Sequence, residues 1–138
     1  MSTIKRRRKY KGERLPPFAP ILFDEMKSAA YKNLSGTAAK ALPYFKWIHG
    51  LLVKKLGDDY NGIFDFTYTE AEKYGFARNT FNRIITALND KGFLDIVTQG
   101  GKRSCGMSNS GYSLSQRWRD YGTKSFIKRP RYPHEPVN

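Results

Sequence analysis

The chain has 138 residues, enough for one domain with a modest buried core. Its 25 Lys and Arg outnumber 12 Asp and Glu, a formal net charge of +13, which points to an anionic partner: nucleic acid, acidic lipid or an acidic protein. One cysteine, Cys105, excludes an intrachain disulfide framework and fits a reducing, cytoplasmic setting, and no apolar run is long enough to span a bilayer.

The charge is concentrated at the two ends. Residues 1–14 carry seven cations, including Lys5, Arg6, Arg7 and Arg8, against the single acid Glu13. No apolar segment of the kind found in signal peptides follows them. The prolines of "RLPPFAP" then resist helix, so residues 1–20 read as an extended basic arm. Blocks of like charge repel one another and are expected to order only on an anionic partner.

Residues 21–122 read as the folded domain. "ILFDEMKSAAY" is compatible with a short helix. "NLSGTAAKALPYFKWIHGLLVKKLG" predicts a long one, N-capped by Ser35 and stopped by Gly57. Ala38, Leu42, Phe45, Ile48, Leu52 and Leu56 recur at spacings of three or four and share one face. Pro43 lies inside this run and is expected to kink the helix or split it. "DDYNG" is a turn signal and "IFDFT" a short strand. Thr69 is expected to cap a helix over "EAEKY" that breaks at Gly75. The next helix runs from about Arg78 to Lys91 and stops at Gly92. "FLDIVTQ" and "YSLS" predict two strands around the polar loop "GGKRSCGMSNSG". In the final helical turn, "QRWRDYG", Trp118 and Tyr121 are expected to pack the hairpin onto the first helix. Residues 123–138 form a second basic, proline-containing tail.

The helix from Arg78 carries the candidate site. A helix turns about 100° per residue. With Phe81 at zero, Ile84, Ile85 and Leu88 form the apolar stripe. Asn79, Arg83 and Thr86 fall roughly opposite, and Asn82 lies on the flank. Amides, a guanidinium and a hydroxyl match the hydrogen-bonding edges of bases in a DNA major groove. Recognition helices enter that groove by their N-terminal half, so Asp90 in the last turn can be tolerated. Arg78 and Thr80 flank the face and suit phosphate. Lys102 and Arg103, between glycines at the tip of the hairpin, suit phosphate or the minor groove, as do Lys5, Arg6, Arg7 and Arg8 of the arm.

The element order is helix, strand, helix, tight turn, helix, strand, loop, strand: an α+β, mainly helical, winged helix-turn-helix arrangement, with a three-helix core, a β-hairpin wing and basic terminal arms. "GFARNTFNRIITALNDKGFLDI" resembles the winged-helix pattern in which glycine and an apolar residue precede a recognition helix. "MKSAAYKNLSGTAAKAL" resembles the first helices of winged-helix proteins from phages, plasmids and related mobile elements, both regulators and replication initiators. The resemblance spans roughly Phe23 to Tyr121. It implies a protein bound to double-stranded DNA, acting in transcription regulation or in replication and maintenance of a mobile element. That family often carries Ser or Thr where this chain has Ala77. The change removes a side-chain cap, about 1 kcal/mol, and a hydroxyl that could bond a phosphate.

Nothing in the sequence assembles an enzyme site. His49 and His134 are the only histidines, and neither pairs with Cys105 at metal-ligand spacing. "GGKRS" lacks the spacing of a phosphate-binding loop, and Asp58 and Asp59 are a turn signal. No cofactor, metal or membrane partner is expected. A homodimer through the long helix is compatible with the sequence. The competing classes are an RNA- or ribosome-associated basic protein and a winged-helix protein-interaction module. RNA modules favour exposed aromatics on a sheet, and an adaptor does not need charged tails.

Overall fold

The computed structural model describes residues 17–98 and 110–131. Its first helices are α1 (Phe23–Met26), α2 (Ala29–Lys32) and α3 (Gly36–Leu56). The single short helix expected before Tyr31 is two separate turns. The cause is Ser28, whose hydroxyl donates to the Glu25 carbonyl at 2.7 Å and accepts from the Tyr31 amide at 3.1 Å. One side chain thereby ends the first turn and caps the second. Ser35 caps α3 as expected, accepting from the Ala38 amide at 3.2 Å, and Gly57 ends it at φ 54°.

Pro43 does not divide α3. Ala38, Ala41, Leu42 and Phe45, on both sides of the proline, are buried and hold this half of the helix against the core. The remainder outruns the body. A helix of 21 residues is about 31 Å long, more than so small a core can cover. Ile48 and Leu52 are half-buried, while Leu56, expected on the same face, is exposed together with Leu51 and Val53. Glu25 is buried and pairs with Lys46 at 2.6 Å, which ties α1 to α3.

Strand β1 (Phe64–Asp65) leads into α4 (Tyr68–Lys73) and α5 (Arg78–Lys91). The cap of α4 is Thr67, not Thr69. Thr67 accepts from the Glu70 amide at 3.0 Å, and the Glu70 carboxylate accepts from the Thr67 amide at 3.2 Å. Thr69 and Glu72 share the three-residue spacing of this box, but Thr67 has the extended backbone of a cap residue (φ −84°, ψ 162°), whereas Thr69 lies inside α4. Both α4 and α5 end on a Gly-Phe pair. Gly75 (φ 92°) and Gly92 (φ 87°) adopt the left-handed conformation. The Phe76 and Phe93 amides then reach back to the Ala71 and Leu88 carbonyls, at 2.8 and 2.9 Å. These are Schellman closures, in which glycine avoids a Cβ clash and the following apolar residue turns into the core.

After α5 come β2 (Leu94–Thr98) and β3 (Gly111–Leu114). The sheet is antiparallel in the order β1-β3-β2. Tyr112 pairs with Phe64 on one side and Ile96 on the other. A bulge lies between Ile96 and Thr98, where the Thr98 hydroxyl accepts from the Gly111 amide at 2.9 Å. Phe45 of α3 sits at the centre of the core, in ring contact with Phe64, Phe66, Phe81 and Tyr112. Trp118 is buried as expected and stacks on Phe93, which in turn meets Tyr31 of α2 edge-on. The architecture is α+β, five α-helices and a small three-stranded sheet among the described residues. No helix among them is long and apolar enough to cross a membrane.

Candidate nucleic-acid interface

The helical period sorts the side chains of α5 as expected. Phe81, Ile84, Ile85 and Leu88 are at most 3% exposed and face α3, α4 and β2. Arg78, Asn79, Asn82 and Arg83 are exposed on the other side, and Thr80 and Thr86 are half-buried. Asp90 is exposed in the last turn.

The N-terminal end of α5 is open. Ala77 has the extended backbone of a cap residue (φ −68°, ψ 156°) but makes no side-chain cap bond. An uncapped helix start presents amide donors and the positive end of the helix dipole. Arg78 lies beside it, its guanidinium 4.4 Å from the centre of the Tyr68 ring. Tyr68 rests edge-on against Phe81, with the ring centres 5.5 Å apart. A core aromatic and a surface aromatic thus position a cation at the mouth of the helix, and the ring holds it without neutralising its charge.

At the C-terminal end the chain returns. Residues 123–131 hold four cations (Lys124, Lys128, Arg129, Arg131) and no carboxylate. They are hydrogen-bonded along α5. Arg117 is the junction. Its Nε donates to Asp95 at 2.8 Å, one Nη to the Ile127 carbonyl at 2.9 Å, and the other to the Asn89 and Leu94 carbonyls at 3.0 and 3.2 Å. Asn89 is fully buried, and its Nδ2 donates to the Arg129 carbonyl at 3.0 Å. Beyond this anchor, Arg131 Nε donates to the Thr86 hydroxyl at 3.0 Å and Nη2 to Asn82 Oδ1 at 2.7 Å. The Thr86 hydroxyl itself donates to the Asn82 carbonyl at 3.1 Å.

Asn82 and Thr86 thus meet at one guanidinium, and together with Arg83 they line a groove of about 460 Å³. Asp90 and Lys91 also line that groove, as do Asn33 and Ser35, where α2 gives way to α3. The Tyr112 hydroxyl titrates above its ordinary range because it is buried, an effect that a hydrogen bond from Ser110 and the nearby charge of Arg131 partly offset. His49 of α3 shares a hydrogen bond of 3.1 Å with Tyr60. Burial, with help from Lys46, holds its imidazole below the usual histidine range. Lys102, Arg103, Lys5, Arg6, Arg7 and Arg8 lie outside the described residues.

Three residues of this surface escape a reading of the sequence. Asn89 had a signal: it falls about 80° from Phe81 on the wheel, at the edge of the apolar stripe, where a polar side chain needs a partner. Arg117 and Arg131 had none, being two cations among many. No protein-family model, curated protein or solved structure matches the chain.

Proposed function

We propose that the chain is a double-stranded-DNA-binding protein of winged helix-turn-helix type. In this reading α5 enters the major groove, Asn79, Asn82, Arg83 and Thr86 face base edges, and Arg78 and Thr80 meet phosphates. Lys102 and Arg103 of the β2–β3 hairpin and Lys5 to Arg8 of the N-terminal arm add backbone contacts. The observation that supports it best is the outward face of α5. This 14-residue helix buries its apolar stripe on three neighbouring elements, yet leaves its first half lined with exposed amides and guanidinium groups. The sheet order β1-β3-β2, with the hairpin following α5 directly, agrees with that arrangement. A role in transcription regulation or in replication of a mobile element is part of the same proposal.

Titration of a random-sequence duplex and a random single-stranded RNA over a range of salt concentrations tests it. Six to ten phosphate contacts give a slope of log K against log salt of about −5 to −9 for the duplex. Deleting residues 1–14 should flatten that slope. Equal or tighter binding of the RNA at every salt concentration would overturn the proposal.

A further inference from the structure

The first helical turn, α1, is inverted. Its acid Glu25 is buried, at 2% exposure, while Leu22, Phe23 and Met26 around it are exposed, Phe23 at 68%. Phe18, four residues before Leu22, is 66% exposed. We propose that this apolar turn and the basic arm that precedes it form one binding segment for an anionic lipid bilayer, on whose surface the chain lies without crossing it. The proposal is independent of DNA binding by α5.

The inversion is fixed by polar bonds. The Glu25 carboxylate accepts from Lys46 Nζ at 2.6 Å and from the Leu22 amide at 3.3 Å, and the Ser28 hydroxyl donates to the Glu25 carbonyl at 2.7 Å. Turning Phe23 inward would break a buried ion pair, so the apolar side is held outward. A single exposed apolar residue is ordinary. Four of the nine large ones exposed among the described residues fall between positions 18 and 26, and such a concentration marks an interaction site.

Charge selects the partner. Residues 1–14 carry seven cations against Glu13, and Asp24, the exposed acid of α1, is paired with Lys27 at 3.6 Å. A second copy of the chain would set two such arms against each other. Duplex DNA matches the charge of the arm but gives Phe18 and Phe23 nothing apolar to enter. An anionic bilayer offers both, headgroups to the cations and the acyl boundary to the rings. Side chains two-thirds exposed stand clear of the protein surface, and a soft interface accepts them without a matching pocket. One such signal alone gives marginal binding, so their adjacency in the chain matters. An apolar span is what the sequence lacks, and interfacial binding needs none.

Co-sedimentation of the full chain with vesicles tests this, using phosphatidylcholine alone and phosphatidylcholine mixed with phosphatidylserine. The wild type should bind the anionic vesicles at least about 100-fold more tightly than the neutral ones, since each cation that reaches an anionic surface strengthens binding about fivefold. Phe18→Ser combined with Phe23→Ser should weaken anionic-vesicle binding about tenfold or more. Duplex binding and melting temperature should stay near wild type, because both side chains are exposed. Phe23→Trp should keep the binding. Its added emission should shift to the blue on anionic vesicles and be quenched by lipids brominated in the upper acyl chain, a readout of insertion that stands even if the serine pair unfolds. A folded serine pair that binds anionic vesicles as tightly as wild type would reduce the effect to adsorption of a basic protein on a polyanion and overturn the proposal. So would equal binding to both kinds of vesicle. So would an unshifted tryptophan without vesicle binding, which would leave a protein as the occupant. A lipid-free dimer that the serine pair abolishes, measured by sedimentation equilibrium, would make the occupant a second copy and also overturn it.

Discussion

At its C-terminus α5 is closed by Gly92, a Schellman bond from Phe93, and a network in which Asn89, Asp95 and Arg117 satisfy one another and the returning chain. At its N-terminus Ala77 offers no side-chain oxygen, and an exposed arginine sits over a tyrosine ring. One end of the helix is saturated from within the protein, and the other is left with donors and positive charge facing outward. The difference shows where rigidity is made and where it is used. The C-terminal network fixes the helix and the trajectory of residues 123–131, and the N-terminal turn stays available to an anion.

Removing the anchor should have the largest effect. Arg117→Ala leaves Asp95 and the buried Asn89 without their main partner. Arg129 is still within 3.7 Å of Asp95 and compensates in part. Breaking a partly buried pair of this kind should lower stability by about 3 kcal/mol in denaturant unfolding. A loss under about 1 kcal/mol, the size of a surface pair, would mean that the C-terminal end is no better fixed than the N-terminal one.

Closing the open end should act with the opposite sign. The backbone at Ala77 already has cap geometry, so Ala77→Ser and Ala77→Asp should each stabilise the protein by about 1 kcal/mol. Their effects on DNA should diverge. Aspartate puts a negative charge where the first-turn amides would meet phosphate, and it should weaken duplex binding more than serine does. Equal binding by the two variants would show that this end of α5 touches no phosphate.

The smallest change in stability is expected in the middle. Arg83→Ala removes an exposed side chain and should alter stability by less than about 0.5 kcal/mol. If the outward face reads bases, the same variant should lose about 1–3 kcal/mol of discrimination at one base pair, measured on duplexes that differ there. An unfolded variant would mean that Arg83 belongs with the C-terminal network. A folded variant with unchanged preference would make this face an ordinary solvated one.

Much of this contrast was legible residue by residue. The spacing of Phe81, Ile84, Ile85 and Leu88 assigns the buried side of α5, because a 3.6-residue period leaves little choice about which residues share a face. Gly75 and Gly92 mark the helix ends, because a left-handed residue after a helix favours glycine for local steric reasons. The Thr67–Glu70 box was present in the sequence beside Thr69–Glu72 at the same spacing, and the extended backbone at Thr67 decides between them. The exposed end of α3 was less accessible. Its apolar rhythm continues through Leu56, but how far the body extends beneath a helix depends on what packs there.

Helix periods, caps and glycine stops are decided by atoms a few bonds apart, so the amino-acid order alone determined the helices, their buried faces and the polar outward side of α5. The path of residues 123–131 is of another kind. Arg131 meets Thr86 and Asn82 across 45 and 49 positions of sequence, and Asn89 meets the Arg129 carbonyl across 40. No period or propensity encodes such pairings. They exist only once Gly92 has turned the chain, with the Trp118 amide bonded to the Gly92 carbonyl at 3.0 Å and Arg117 brought beside Asp95. Which cation of the basic tail is seated against the outward side of α5 was therefore decided by the tertiary structure, because a charge acquires a fixed position only from the acceptors that the rest of the fold places around it.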